Sequence, residues 1–167
     1  MDYLVGVIMK KKIKFMLLVY TLFLLSACSL RKDIHSYQKI ETECDEIVQY
    51  LSEDDTEGLK SMFCNMTRSS SEFDKQIQVA MDYFEGKVIE HDPFTLKNDG
   101  SSVENGKITR LYSSPHLTGI VTDVGKTYEI KFYSYIINTD DEDKVGISKL
   151  TIKTDNGNEC IIGEYIR

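Results

Sequence analysis

Apolar residues recur at gaps of three and four through the first half of the chain and at gaps of two near its end. Ile34, Tyr37, Ile40, Cys44, Ile47, Val48 and Leu51 make one stripe, the signature of an amphipathic helix, with Lys39, Glu43, Glu46 and Gln49 on the opposite, polar face. The polar run Ser52–Glu57 ends that helix, and Asp54 followed three residues later by Glu57 predicts a capping box for the next. Leu59, Met62, Phe63 and Met66 predict a short second helix. Ser69 and Glu72 predict another box, opening a third helix with Phe73, Ile77, Ala80, Met81 and Phe84 inward. Gly86 stands where a left-handed helix end is expected.

The period then changes to two. Tyr128, Ile130, Phe132, Ser134 and Ile136 alternate with Glu129, Lys131, Tyr133, Tyr135 and Ile137, which predicts a strand with one face inward. Val145 and Ile147 are out of phase with Leu150 and Ile152, so a β-bulge is expected at Ser148-Lys149. Glu159–Ile166 reads as a last strand, and earlier strands are expected over about 87–92 and 107–122, with Pro115 forcing an interruption or an edge position. Asn105-Gly106, Asp123-Val124-Gly125, Thr139–Asp143 and Asp155-Asn156-Gly157 supply the turns. Helices followed by a strand meander predict an α+β domain over 33–167, with the helices on one face of an antiparallel sheet of about four to six strands.

Ahead of this lies a different composition. Lys10-Lys-Lys-Ile-Lys14 precedes an apolar run from Phe15 to Leu25, too short to span a bilayer and of signal-peptide length. The run ends in Leu25-Ser26-Ala27-Cys28, which resembles the lipobox of bacterial lipoproteins. That resemblance implies diacylglycerol on the Cys28 thiol and cleavage between Ala27 and Cys28. Residues 1–27 would then be a signal peptide and 28–32 a lipidated tether, holding the domain on the extracytoplasmic face of the cell membrane. Met9 directly precedes the lysines, so translation starts at Met1 or at Met9. The leader contains four of the twenty Lys and Arg residues and one of the twenty-seven Asp and Glu, leaving sixteen bases against twenty-six acids. A net charge near −10 argues against nucleic acid, whose binding needs a basic face.

Three stretches carry a further likeness: Glu53-Asp-Asp-Thr-Glu-Gly-Leu-Lys-Ser-Met-Phe63, Gln76-Ile-Gln-Val-Ala-Met-Asp-Tyr-Phe-Glu-Gly86, and Thr122-Asp123 to Tyr128 with Val145-Gly-Ile147. Over roughly 33–155 the chain resembles an uncharacterised family of small lipoproteins from low-GC Gram-positive bacteria with a nuclear-transport-factor-2-like domain. The resemblance implies a cone, a strongly curved sheet with three helices across its concave side. It implies no activity, because that superfamily hosts enzymes, binding proteins and assembly factors alike.

Residues able to carry chemistry are few. Cys44, Cys64 and Cys160 can form one disulfide in three pairings, or serve as small buried apolar side chains. No spacing of Cys or His fits a metal site, and no phosphate loop, nucleophile elbow or cofactor motif occurs. His91-Asp92 would be a base with its orienting carboxylate, but neighbours on a strand point to opposite faces. His35 adjoins the tether, and His116 has no partner visible in sequence. The acidic run Thr139–Asp143 lacks EF-hand spacing and reads as a solvated turn. Tyr133 and Tyr135 share one strand face and could stack a sugar ring or a partner, or pack against the sheet.

The expectation is a membrane-anchored binding or assembly module, non-catalytic, whose partners are membrane lipid through Cys28 and a small ligand or envelope protein. The alternatives are a small cone-fold enzyme of isomerase or cyclase type and a homodimeric envelope subunit. The enzyme needs a carboxylate or histidine of raised pKa inside the cone.

Overall fold

The computed structural model describes residues 37–166. The leader, the lipobox with Cys28, Ile34 and His35 lie outside the described residues. The chain divides into two units, Met1–Gln38 and Lys39–Arg167, and the second contains the whole sheet. Helix α1 runs over 37–52. Then come α2 (Thr56–Ser61), α3 (Asn65–Arg68) and α4 (Phe73–Tyr83). Strands β1 (Val88–Glu90), β2 (Thr95–Glu104), β3 (Lys107–Thr122), β4 (Thr127–Asn138), β5 (Gly146–Thr154) and β6 (Glu159–Gly163) complete the domain. A 3-10 turn, Glu142–Lys144, lies between β4 and β5. None of the described helices is long and apolar enough to cross a membrane. The architecture is α+β, a curved, open, antiparallel six-stranded sheet with helices on one face.

The sheet order is β1-β3-β4-β5-β6, and β2 also pairs with β3, beside the half of it that β1 leaves uncovered. Bulges bend it. The β3–β4 register skips at Ile136 and again around Gly119, whose φ is +63°. The β4–β5 register skips at Ser148, where the phase change of the apolar pattern places a bulge. Each extra residue increases twist and curls the sheet around what packs inside it.

What packs inside is a single apolar cluster. Ile40, Cys44, Ile47, Val48 and Leu51 of α1 and Phe73, Ile77, Ala80 and Met81 of α4 meet Leu117, Ile130, Phe132, Ile147, Leu150, Ile152 and Ile162 of the sheet. Tyr128 is 1% exposed and stacks on Phe84 at 4.5 Å. Its hydroxyl donates to the Tyr83 carbonyl and accepts from the Glu85 amide, so the buried phenol is satisfied at both functions. Cys44, Cys64 and Cys160 are buried free thiols.

Several local expectations are corrected. The N-cap of α2 is Asp55, whose Oδ1 accepts from the Gly58 amide at 2.8 Å, while Asp54 sits at φ +57° one residue earlier. Ser69 closes α3, bonding its hydroxyl to the Asn65 carbonyl, and Glu72 caps α4 without a side-chain bond, so no Ser69–Glu72 box forms. Tyr37 and Met66 are 50% and 44% exposed rather than core residues. Residues 59–66 form no single helix. Phe63 leaves α2 and bridges to Ile147 of β5 before α3 begins. The strand read over Glu159–Ile166 ends at Gly163.

Two corrections concern the sheet. Pro115 neither breaks β3 nor sits at an edge. It lies in the middle of a central strand, and β2 bulges at Lys97 directly opposite it, between the pairs Leu96–Pro115 and Asn98–Ser114. A bulge already interrupts the ladder, so the missing amide costs little there. Strand β2 itself has no apolar alternation, and the sequence pattern does not predict it. It forms because Asn105-Gly106, both with positive φ, folds it back on β3 in a two-residue hairpin.

Gly163 pins the far edge. Its φ is +68°, its amide donates to Gln76 Oε1 of α4, and a Cβ there would collide with the Ser148 carbonyl oxygen. Gly163→Ala is expected to lower the thermal midpoint by several degrees, because strain and the lost approach act together. Thermal unfolding of the two proteins checks this, and equal midpoints would contradict it.

Candidate functional site

The face of the sheet that the helices cover is occupied by core, and the opposite, outer face keeps side chains available. Along β4, Glu129, Lys131 and Tyr133 point outward because Tyr128, Ile130 and Phe132 point in. Register then assembles their neighbours. Lys149 and Thr151 of β5 stand opposite Tyr133 and Lys131, and His116 of β3 stands opposite Lys131. The bulge at Lys97 and Asn98 of β2 complete the far wall. Lys131, Tyr133, Lys149, Thr151, His116, Lys97 and Asn98, with Ser114 and Tyr165, line a cleft of about 410 Å³, and Glu129 lies just outside it.

Tyrosines make its floor and one wall. Tyr133 lies 5.6 Å from Tyr112, 5.6 Å from Tyr135 and 5.3 Å from Tyr165, measured between ring centroids. Tyr135 is only 7% exposed, and it supports Tyr133 from behind rather than facing a ligand. Gly100, opposite Tyr112, leaves room for the Tyr112 ring, since a Cβ there would lie 2.5 Å from the hydroxyl. Tyr165 is 59% exposed, and the Lys149 ammonium sits 4.9 Å from its ring centroid. Tyr133 meets Tyr135 and Tyr165 edge-to-face and Tyr112 at a tilt, so its ring is packed among three others.

The polar groups are arranged by charge. His116 Nε2 is 3.2 Å from Glu129 Oε2, and Lys131 Nζ is 3.7 Å from the same oxygen. The hydrogen bond from His116 holds the Glu129 carboxyl below the ordinary carboxylate range. Glu129 is therefore occupied by two partners at the cleft margin. Among the described residues, Lys97 and Lys149 form no ion pair. A strongly acidic chain thus gathers three lysines and a histidine around one tyrosine-floored hollow.

The sequence-selected residues do not all converge. Tyr133 and Tyr135 come together. His91 lies in a separate cleft with Asp45, Gln49, Ser52, Glu53, Ile89 and Glu90. Its Nδ1 meets the Asp92 backbone carbonyl at 2.9 Å, while the Asp92 carboxylate takes a hydrogen bond from Thr118. His91 and the Asp92 carboxylate thus form no base–carboxylate pair with each other. Among the described residues no three His, Cys, Asp or Glu side chains converge as metal ligands.

One residue placed on the polar face by its spacing behaves otherwise. Glu43 turns toward the sheet, and its pKa is raised to about 7. Burial is the main cause, opposed by the Lys39 charge and by contact with Ser134, with Glu46 adding a small upward push. Glu43 Oε2, Ser134 Oγ and Ser113 Oγ are buried and have no hydrogen-bond partner within ordinary geometry among the described residues. Ser113 and Ser134 are cross-strand partners, so the unsatisfied atoms sit where α1 meets β3 and β4. Glu43 also lines a shallow cleft with Lys39, Thr42, Glu46, Tyr50, Ser61 and Met62.

A family profile described as a domain of unknown function (DUF5104) matches residues 46–156, about two thirds of the chain. The chain belongs to this family. The DUF5104 match takes in α2 to α4 and β1 to β5, and so includes Lys97, His116, Lys131, Tyr133, Lys149 and Thr151 of the cleft. It stops before β6 and Tyr165, and begins after Glu43. No curated protein matches the chain.

Proposed function

We propose that this DUF5104 protein is a lipid-anchored extracytoplasmic lipoprotein, tethered through diacylglycerol on Cys28, whose domain is a non-catalytic binding module working through the outer face of its sheet. The anchor rests on the order of charge, apolar run, small residues and cysteine ahead of the domain. Durable attachment needs two acyl chains, which a diacylglyceryl group provides. The binding reading rests on one observation above all. The tyrosine-floored cleft on the outer face stays open, while the helix-covered face is filled by core. The accompanying fold reading is the nuclear-transport-factor-2-like cone, supported by helices preceding a bulged, curled meander.

Glu43 favours a second reading, a small enzyme of isomerase or cyclase type. A carboxyl that titrates near neutrality in a cleft is a candidate acid or base. The groups set against it are serines and a lysine, however, and the neighbouring interior is packed.

Three measurements test the proposal. Mass spectrometry of the native protein is expected to find lipid on Cys28 as the first residue. On phase partitioning, the wild type is expected in the detergent phase and a Cys28→Ser chain lacking residues 1–27 in the aqueous phase. An unmodified thiol behind an intact leader would remove the anchor. For the binding face, saturation-transfer NMR with a set of monosaccharides is expected to lose its signal in Tyr165→Ala and keep it in Tyr50→Ala. The reverse pattern would place binding at the Glu43 cleft and contradict the reading.

A further inference from the structure

We propose that the outer-face cleft binds an anionic pyranose, a six-membered sugar ring carrying a carboxylate or a phosphate; this ligand class rests on the binding reading of the same face. Three features of the lining support it.

The first is the tyrosine platform. Tyr133 is wedged among Tyr112, Tyr135 and Tyr165, and Tyr165 presents more than half of its surface to solvent. A packed aromatic ring beside an exposed one suits a flat apolar patch of C–H groups, such as a pyranose ring offers. The second is hydrogen-bonding capacity spread around the rim. Ser114 and Thr151 contribute hydroxyls and Asn98 an amide, groups that both donate and accept. Sugar hydroxyls need that ambivalence, and an apolar ligand would leave it unused.

The third is charge. Lys97, Lys131 and Lys149 rise from three different strands to one hollow. Lys131 is partly compensated by Glu129, which His116 also holds. Lys97 and Lys149 have no carboxylate partner among the described residues. On a chain with a net charge of −7, positive groups on one face stand out as local complements to an anion. The same net charge works against a long polyanion. The size agrees, because 410 Å³ falls within the roughly 300–1,000 Å³ of small-molecule sites.

The test uses the full-length protein purified in detergent, titrated by calorimetry with glucuronate, glucose 6-phosphate, glucose and inorganic phosphate. Glucuronate or glucose 6-phosphate is expected to bind at least about tenfold more tightly than glucose or phosphate, because ring and charge contribute separately. Which of the two anionic sugars is tighter assigns the carboxylate or the phosphate. The double variant Lys97→Gln/Lys149→Gln is expected to reduce the anionic sugar to the affinity of glucose, with an unchanged melting temperature. Raising salt from about 0.01 M to about 1 M, which shortens the Debye length from ~30 Å to ~3 Å, should weaken the anionic sugar alone. Equal binding of glucose and glucuronate, lost together in Tyr165→Ala, would overturn the charge claim and leave the outer-face reading standing. Binding insensitive to Tyr165→Ala would overturn both. Silence from all four probes, or phosphate alone binding as tightly as the sugars, would overturn the ligand class.

Discussion

Glu43→Gln is expected to make the protein more stable above neutral pH, and to flatten the dependence of its stability on pH. The folded state raises this carboxyl from 4.5 to about 7. Below about pH 4.5 both folded and unfolded chains hold the proton, and the group is neutral in the balance. Between 4.5 and 7 the unfolded chain releases the proton while the folded chain keeps it, so stability falls as pH rises. Above 7 the folded protein contains a buried carboxylate and the penalty is complete. At about 1.4 kcal/mol per unit the penalty is roughly 3 kcal/mol, an upper figure because Lys39 and solvent relax around the charge. Glutamine keeps the shape and removes the ionisation. Urea unfolding at about pH 5 and about pH 8 checks the expectation: wild type should lose stability between them, and the variant should lose clearly less. Parallel losses would mean that Glu43 is hydrated and ordinary.

Phe63→Ala is expected to cost about 3–5 kcal/mol, the range for truncating a large buried aromatic. Phe63 is 1% exposed and meets Phe73 edge-on at 5.2 Å. Its position does more than fill space. The backbone on either side of it is tied to β5, with Cys64 N–H donating to Ile147 O and Ile147 N–H donating to Met62 O, both at 2.9 Å. Gly146 allows this approach, since a Cβ there would lie 2.9 Å from the Cys64 nitrogen. A cavity at Phe63 therefore loosens the seam joining α2, α3 and α4 to the sheet. A domain whose total stability is on the order of 5–15 kcal/mol would lose a large part of it. Phe63→Leu, which leaves a smaller void, should recover much of the loss in the same denaturant titration. A loss under about 1 kcal/mol for the alanine variant would show that the seam repacks freely.

Much of this architecture is legible in the sequence because its periodicity is strong. The inward positions of α4 and the inward run Tyr128 to Ser134 of β4 follow directly from gaps of four and of two, and the phase slip in β5 reveals its bulge. The departures have physical causes. Strand β2 carries Asn98, Asp99, Gly100 and two serines because it lies largely exposed beside β3, so no alternation marks it. A proline in β3 argues for a break only when that strand is considered alone, whereas the accommodation is in its neighbour, where Lys97 bulges. Asp54 and Asp55 are both good cap residues, and choosing between them needs the backbone angle. Glu43 belongs to solvent by residue type, but α1 is turned so that this carboxyl sits against Ser134.

The candidate site is half visible in the sequence. Tyr133 can be picked out because it alternates with core residues along one strand. Its companions come from β2, β3, β5 and the segment after β6, and only the pairing register brings Lys97, His116, Lys149 and Tyr165 to it. Nothing local in the chain marks Lys149 as the neighbour of Lys97 across a cleft. The Lys131-Phe132-Tyr133 triplet, with a cation and an aromatic on one outward face, is the signal that points there.

A crystal structure of the protein grown with glucuronate would reveal which face of the sheet is the working surface. The expected result is a sugar ring against Tyr133 and Tyr165, with its carboxylate within reach of the Lys149 and Lys97 ammonium groups. A sugar lodged instead beside Glu43 and Tyr50 would contradict the outer-face assignment, and an empty outer face at saturating glucuronate would contradict the ligand class.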